Sequence, residues 1–281
     1  MRLAAAALAA AALPAAAAPD DARWYLQVDN DVVFDSDRWY TSGVRIARVS
    51  GGVEVGVLQE IYTPEASRWR PGVVDRAPTG RLLLSVAKHD VTPTVFQTLE
   101  VMAGVRGPSA HGRESAEAIH QIIPAPFVDW TRQLDDEFDA TLVAVRSQRV
   151  GPVKLHYGAQ VGTQVVFGHA GIEARVGPAV DGASRLLRFA ATPELAANAA
   201  GWSAYAGAGV RGVARNELLS KGYDPRSPAP ERETAVTRIA AGLAWVAAWG
   251  AITFDVAQDS REFSEQRVPH RFGSLALHVS F

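Results

Sequence analysis

Two groups of residues in this chain have the chemistry of a reactive site. The first centres on His120. From Arg113 to Ile123 the residues are mostly helix formers, and Ala116, Ile119, His120 and Ile123 recur at the i, i+3, i+4, i+7 spacing of one helical face. Histidine changes charge near neutral pH, so on such a face it either handles a proton or packs against a partner. The second group is Asp29-Asn30-Asp31. Asn30 and Asp31 offer the oxygen ligands that a hard cation such as calcium prefers, and Asp35 and Asp37 thicken the negative field. Taken alone, the same acidic stretch also fits plain solvation. Arg38-Trp39-Tyr40-Thr41-Ser42-Gly43 adds further polar groups just downstream.

Groups so distant in sequence need a framework to meet. On both sides of residues 107–134 the chain alternates apolar with small or polar residues at a period of two, the mark of strands with two unlike faces. Twelve segments carry that signal: 23–34, 42–50, 53–61, 80–89, 94–106, 139–149, 153–166, 169–180, 201–214, 234–247, 249–260 and 271–281. Most are near the roughly nine to eleven residues that a tilted membrane strand requires. In the last, Leu275, Leu277, Val279 and Phe281 point one way while Ser274, Ala276, His278 and Ser280 point the other. A final aromatic on an alternating strand is typical of outer-membrane barrels of Gram-negative bacteria.

A soluble periplasmic sandwich would alternate too, but the connections argue for a barrel. Tight links at 50–52, 150–152 and 248 follow even-numbered strands, whereas the long connections 62–79, 107–138, 215–233 and 261–270 follow odd-numbered ones. Short turns on one side and long loops on the other place both termini in the periplasm. Residues 35–41 and 167–168 complete the outer rim, and 181–200, with a helical turn over Pro193–Asn198, form a longer periplasmic link. The expected fold is an all-β, twelve-stranded antiparallel transmembrane β-barrel with a short helix in an extracellular loop. Trp24, Tyr25, Trp39, Tyr40, Trp245 and Trp249, at strand ends, suit its interfacial girdles.

Met1, Arg2 and the Leu/Ala run to Ala18 read as a secretory signal peptide, leaving residues 19–281 as one barrel domain. Cysteine is absent, so disulfides do not hold the exported protein together. A formal net charge of −2 with 21% charged residues gives no polybasic footprint for nucleic acid.

Several motifs occur in order: VDNDVVF at residues 28–34, DRWYTSG at 37–43, IYTP at 61–64, Asp75-Arg76-Ala77-Pro78-Thr79-Gly80, GPSAHG, IHQII and DWTRQL. Together they resemble the lipid A 3′-O-deacylase family of outer-membrane enzymes, over residues 25 to about 140. The resemblance implies a twelve-stranded barrel that hydrolyses the ester of the 3′ acyloxyacyl chain of lipid A with a calcium ion and a histidine. Its partners would be lipid A or lipopolysaccharide and outer-membrane lipids. Carried over residue by residue, the metal-binding Asn-Asp pair falls on Asn30 and Asp31, the threonine before the second-strand glycine on Thr41, and the catalytic histidine on His120. With one deletion, a substrate-binding basic residue falls on Arg68. Where some members carry glutamine four residues before the histidine, this chain has Ala116.

In that reading calcium polarises the ester carbonyl while His120 takes a proton from water. Two rival readings stand beside it. One is an inactive structural or pore-forming barrel. The other is an outer-membrane phospholipase with a serine nucleophile, for which Ser42, Ser109 and Ser115 are candidates, although no G-x-S-x-G elbow is present.

Overall fold

A computed structural model of the chain describes residues 22–65, 71–122, 126–177 and 200–280. The leader 1–18, Arg68, Ile123, the link over 181–199 and Phe281 lie outside the described residues. The strands are β1 (Arg23–Asn30), β2 (Trp39–Ser50), β3 (Val53–Thr63), β4 (Thr79–Val91), β5 (Val95–Arg106), β6 (Glu137–Val150), β7 (Val153–Gly162), β8 (Val165–Val176), β9 (Gly201–Asn216), β10 (Ala235–Ala247), β11 (Gly250–Asp259) and β12 (His270–Ser280). Each pairs antiparallel with its sequence neighbours, and β1 pairs with β12 from Arg23↔Ser280 to Asn30↔Gly273, which closes the barrel. Closure removes the exposed strand edges that an open sheet of this length would carry.

Alternation decides which side chains go where. In β4 and β5, Ser85, His89, Thr98 and Glu100 are buried inside, while Leu84, Val86, Leu99 and Val101 stand on the outer face, each more than half exposed. Apolar outside and polar inside is the reverse of a soluble barrel and suits an apolar surrounding. The interior is filled rather than hollow. Arg45 donates to Glu54 and, at 2.6 Å, to Glu100, and His89 Nε2 lies 3.0 Å from Glu54. Arg81 bridges Asp139 (2.7 Å) and Glu60 (2.5 Å), and Arg238 grips Asp259 through two bonds. An apolar patch of Leu58, Leu83, Met102, Val143 and Val145 fills part of the space between these networks.

The tight links sit where the alternation predicts. Gly51, Gly52 and Gly151 take positive φ in them, a conformation open to glycine at little cost. The opposite end carries the long loops, which tie to one another across the mouth. Tyr223 Oη accepts the Asp129 amide (2.8 Å), the Tyr223 amide donates to the Asp75 carbonyl (2.8 Å), and the Arg132 guanidinium lies over the Tyr223 ring.

Three expectations need correction. The first strand stops at Asn30, and Val32–Phe34 form a 3₁₀ turn, because Asp31 turns the chain there with φ −92° and ψ −5°. The segment 153–166 divides after Gly162, and β8 begins at Val165. Among the girdle candidates, Trp24, Trp245 and Trp249 are exposed, but Tyr25 and Trp39 are buried inside, and Tyr40 packs inward on Phe272 and Tyr62. At Tyr40 the cause is a bulge between Tyr40 and Ser42, which shifts the in-out alternation by one residue, and at Trp39 it is a positive φ of 62°.

Candidate active site on the outer wall

The helix that carries His120, α1 (Gly112–His120), lies outside the barrel. Glu60 and Tyr62 of β3 meet the interior Arg81 and Tyr40, so Gln59 and Ile61 between them face outward. Gln59 donates to the Ala110 carbonyl (2.8 Å) and accepts from Ser115 Oγ (2.9 Å). Ile61 packs with Ala116, Val128 and Trp130. The predicted helical face is thus partly seated on the wall, and Ala116 serves there as a small packing residue. Gly80 and Gly112 allow the close approach: a Cβ on Gly80 would stand 2.9 Å from Gly112 Cα, and one on Gly112 would stand 2.8 Å from Gly80 Cα.

Across the rim, the 3₁₀ turn after β1 rests on β12, with Val33 over Gly273. Between it and α1 lie the outward residues at the tops of β1 and β2, where Asn30 pairs with Ser42. Asn30 Oδ1 accepts the Val32 amide (2.7 Å) and so caps the turn. Asp31 donates its amide to the Thr41 carbonyl (3.3 Å), and its Oδ2 accepts from Ser36 Oγ (2.7 Å) and the Arg38 amide (2.9 Å). Thr41 Oγ1 is 2.5 Å from Thr63 Oγ1. His120, the last residue of α1, faces this group, with Nε2 3.6 Å from Asp37 Oδ2.

Asn30, Asp31, Thr41 and His120, chosen from sequence, therefore share one place on the outer wall. The residue that joins them is Asp37, which the sequence flagged only as part of a negative field. Its partner lies far along the chain, and no local spacing announces that pairing. Trp39 helps to hold it: with φ +62° it turns its indole into the barrel mouth against Phe263 and His270, anchoring the loop.

The electrostatics of the site are unusual. Among the described residues, Asp31 Oδ1 and both Asp37 carboxylate oxygens are buried without a hydrogen-bond donor. Arg38, next to Asp37 in sequence, sends its guanidinium to Glu65 instead. Burial pushes the Asp31 carboxyl up to about 8, against the Ser36 and Arg38 hydrogen bonds, and the Asp37 charge adds to the rise. Burial also raises Asp37, with His120 opposing. Buried carboxyl oxygens that lack a hydrogen-bond donor fit a hard cation, with Asp31 the best-placed side-chain ligand and Asn30 beside it. Among the described residues no three His, Cys, Asp or Glu side chains converge on one point, so amide, hydroxyl, backbone or water oxygens would complete any cation shell.

The remaining candidates have other duties. Ser109 donates to Asp136 and Ser115 to Gln59, while Ser42 is buried at the rim. Asp75 to Gly80 proves architectural. Asp75 accepts the Glu65 and Arg76 amides, and Arg76 buries over the Tyr62 ring and donates to the Leu218 carbonyl.

No curated protein matches the chain. Among solved structures, LpxR from Salmonella typhimurium aligns with a TM-score of 0.74 and 19% identity, covering 92% of this chain and 100% of its own. The translocator domain of autotransporter NalP from Neisseria meningitidis aligns at 0.47 with 10% identity, over 100% of this chain and 97% of its own. The sequence profile of the family described as outer membrane protein LpxR matches residues 3–281. The chain belongs to the outer membrane protein LpxR family, the lipid A 3′-O-deacylase family that its N-terminal motifs resemble.

Proposed function

We propose that this protein is a calcium-dependent outer-membrane esterase that removes the 3′-linked acyloxyacyl chain of lipid A. In this reading it is exported by the signal peptide at residues 1–18 and spans the outer membrane of a Gram-negative bacterium. The observation that carries the proposal is a partly exposed histidine facing carboxyl oxygens that, among the described residues, are buried without a hydrogen-bond donor, on the outside of the barrel at the long-loop rim. Family membership and the Salmonella likeness support the lipid substrate.

His120 acts as general base. Its imidazole takes a proton from water as the water oxygen bonds to the ester carbonyl carbon. Collapse of the tetrahedral intermediate breaks the bond from that carbon to the sugar oxygen, and the imidazolium returns its proton to that oxygen. A free acid and a sugar hydroxyl leave. Calcium, when bound, supplies positive charge for the developing oxyanion. Asp31 and Asn30 would hold it. Thr41 fixes the backbone of Asp31 through its carbonyl, and Arg68 is the proposed substrate-binding cation, a guanidinium suited to anionic head groups.

The filled interior speaks against a passive pore, and the engagement of Ser109 and Ser115 speaks against a serine phospholipase. Mass spectrometry of lipid A from cells with and without the protein tests the proposal. Loss of the 3′ acyloxyacyl mass only in cells that make it is expected, and unchanged lipid A would overturn the reading.

A further inference from the structure

We infer that Asp37 is the positioning residue of the proposed base, holding His120 by its Nε2 so that Nδ1 meets the water. The inference rests on the general-base reading of His120. Among the described residues both Asp37 oxygens are buried and lack hydrogen-bond donors, and the basic side chain paired with them is His120, whose Nε2 lies 3.6 Å from Oδ2. Arg38 would be the natural counter-ion, yet its side chain is spent on Glu65.

A donor-acceptor separation just beyond hydrogen-bond range is common in ligand-free catalytic sites and tightens when substrate binds. Donation from Nε2–H to Oδ2 would fix one tautomer, leaving the Nδ1 lone pair for the water proton. Once that proton has moved, the carboxylate faces an imidazolium and stabilises it. Asp37 then contacts neither ester nor water, and acts only through the ring.

The rigidity of its loop supports that role. Ser36 and Arg38, on either side, are both bonded to Asp31, and Trp39 is locked in the mouth. A solvated surface aspartate would need none of these restraints.

Asp37→Asn keeps size and shape but removes the charge. The expected result is a fall in kcat of about 10²-fold or more, with KM and calcium affinity within about twofold of wild type and a heat-modifiable barrel. In a His120→Gln background the same change should cost little further, because the residue it serves is gone. If Asp37→Asn does not assemble, Asp37→Ser carries the same prediction; failure of both to assemble would mark Asp37 as a packing residue and overturn the proposal. A wild-type kcat overturns it too. So does a collapse of calcium affinity, which would make Asp37 a cation ligand, and so does full additivity with His120→Gln. A wild-type rate for His120→Gln alone is read separately, as failure of the general-base reading itself.

Discussion

Of the histidine-carboxylate pairs among the described residues, two share the same 3.6 Å separation in very different settings. Inside, His156 Nε2 lies 3.6 Å from Glu173, and His156 Nδ1 lies 2.9 Å from Ser147 Oγ, an arrangement that on paper resembles a serine triad. Outside, His120 Nε2 lies 3.6 Å from Asp37. The inner pair is fully buried, and Glu173 is also held by Arg175. The outer pair is reachable, with the His120 side chain 25% exposed, and among the described residues Asp37 meets no arginine. Residue type and distance do not separate a structural pair from a reactive one. Access and charge compensation do. Among the described residues, several interior carboxylates are met by arginines, Arg45 for Glu54 and Glu100, Arg81 for Glu60 and Asp139, and Arg238 for Asp259. Interior Asp29 is held by Gln27, Tyr40 and Ser274, whereas Asp31 and Asp37 on the wall keep oxygens without a hydrogen-bond donor.

The contrast can be broken most severely by removing the cation. A chelator should abolish esterase activity while leaving the barrel folded, and calcium more than magnesium should restore it, because a site of carboxylate, amide and backbone oxygens has the flexible geometry calcium tolerates. Full activity in chelator would refute the metal assignment. On the inner side, Arg45→Ala strands Glu54 and Glu100 in a dry interior. That should cost about 3–5 kcal/mol in a denaturant titration of the refolded barrel. An unchanged midpoint would mean that the network is hydrated and contributes little.

A smaller effect is expected at the helix seat. Gly112→Ala forces a Cβ against Gly80, so α1 must lift from the wall. Turnover should drop by about tenfold, in line with the sensitivity of catalysis to small displacements. Wild-type turnover would show that helix placement is not limiting. The smallest effect belongs to Ser147→Ala, which removes one buried hydrogen bond worth about 1 kcal/mol and should leave specific activity alone. Loss of activity there would move the chemistry inside the barrel.

Much of this could be read from the chain before its fold. Strand count, pairing order, the side of the tight turns and the placement of the 107–134 insertion follow from period-two alternation, which one-sided burial enforces along every strand. What was hidden traces to local breaks in that period. Val32-Val33-Phe34 continue an apolar run and so look like strand, yet Asp31 turns the chain and they form a 3₁₀ turn on the outer face. The bulge at Thr41 sends Tyr40 inward and places Thr41 against outward Thr63, an exchange that no composition reveals. Asn30, Asp31 and His120 could be named because their types suit a cation or a proton. Asp37 could not, since its meaning depends on where Arg38 sends its side chain.

The most direct test of the central claim sets the two histidines against each other in one assay of lipid A hydrolysis on refolded barrels. His120→Gln keeps a polar side chain that cannot accept a proton at neutral pH. It should lower turnover by about 10² to 10⁴ while the barrel remains heat-modifiable and binds calcium. His156→Gln should do the reverse, weakening the barrel and leaving the turnover of folded protein near wild type. A His120→Gln enzyme that hydrolyses lipid A at the wild-type rate would contradict the account.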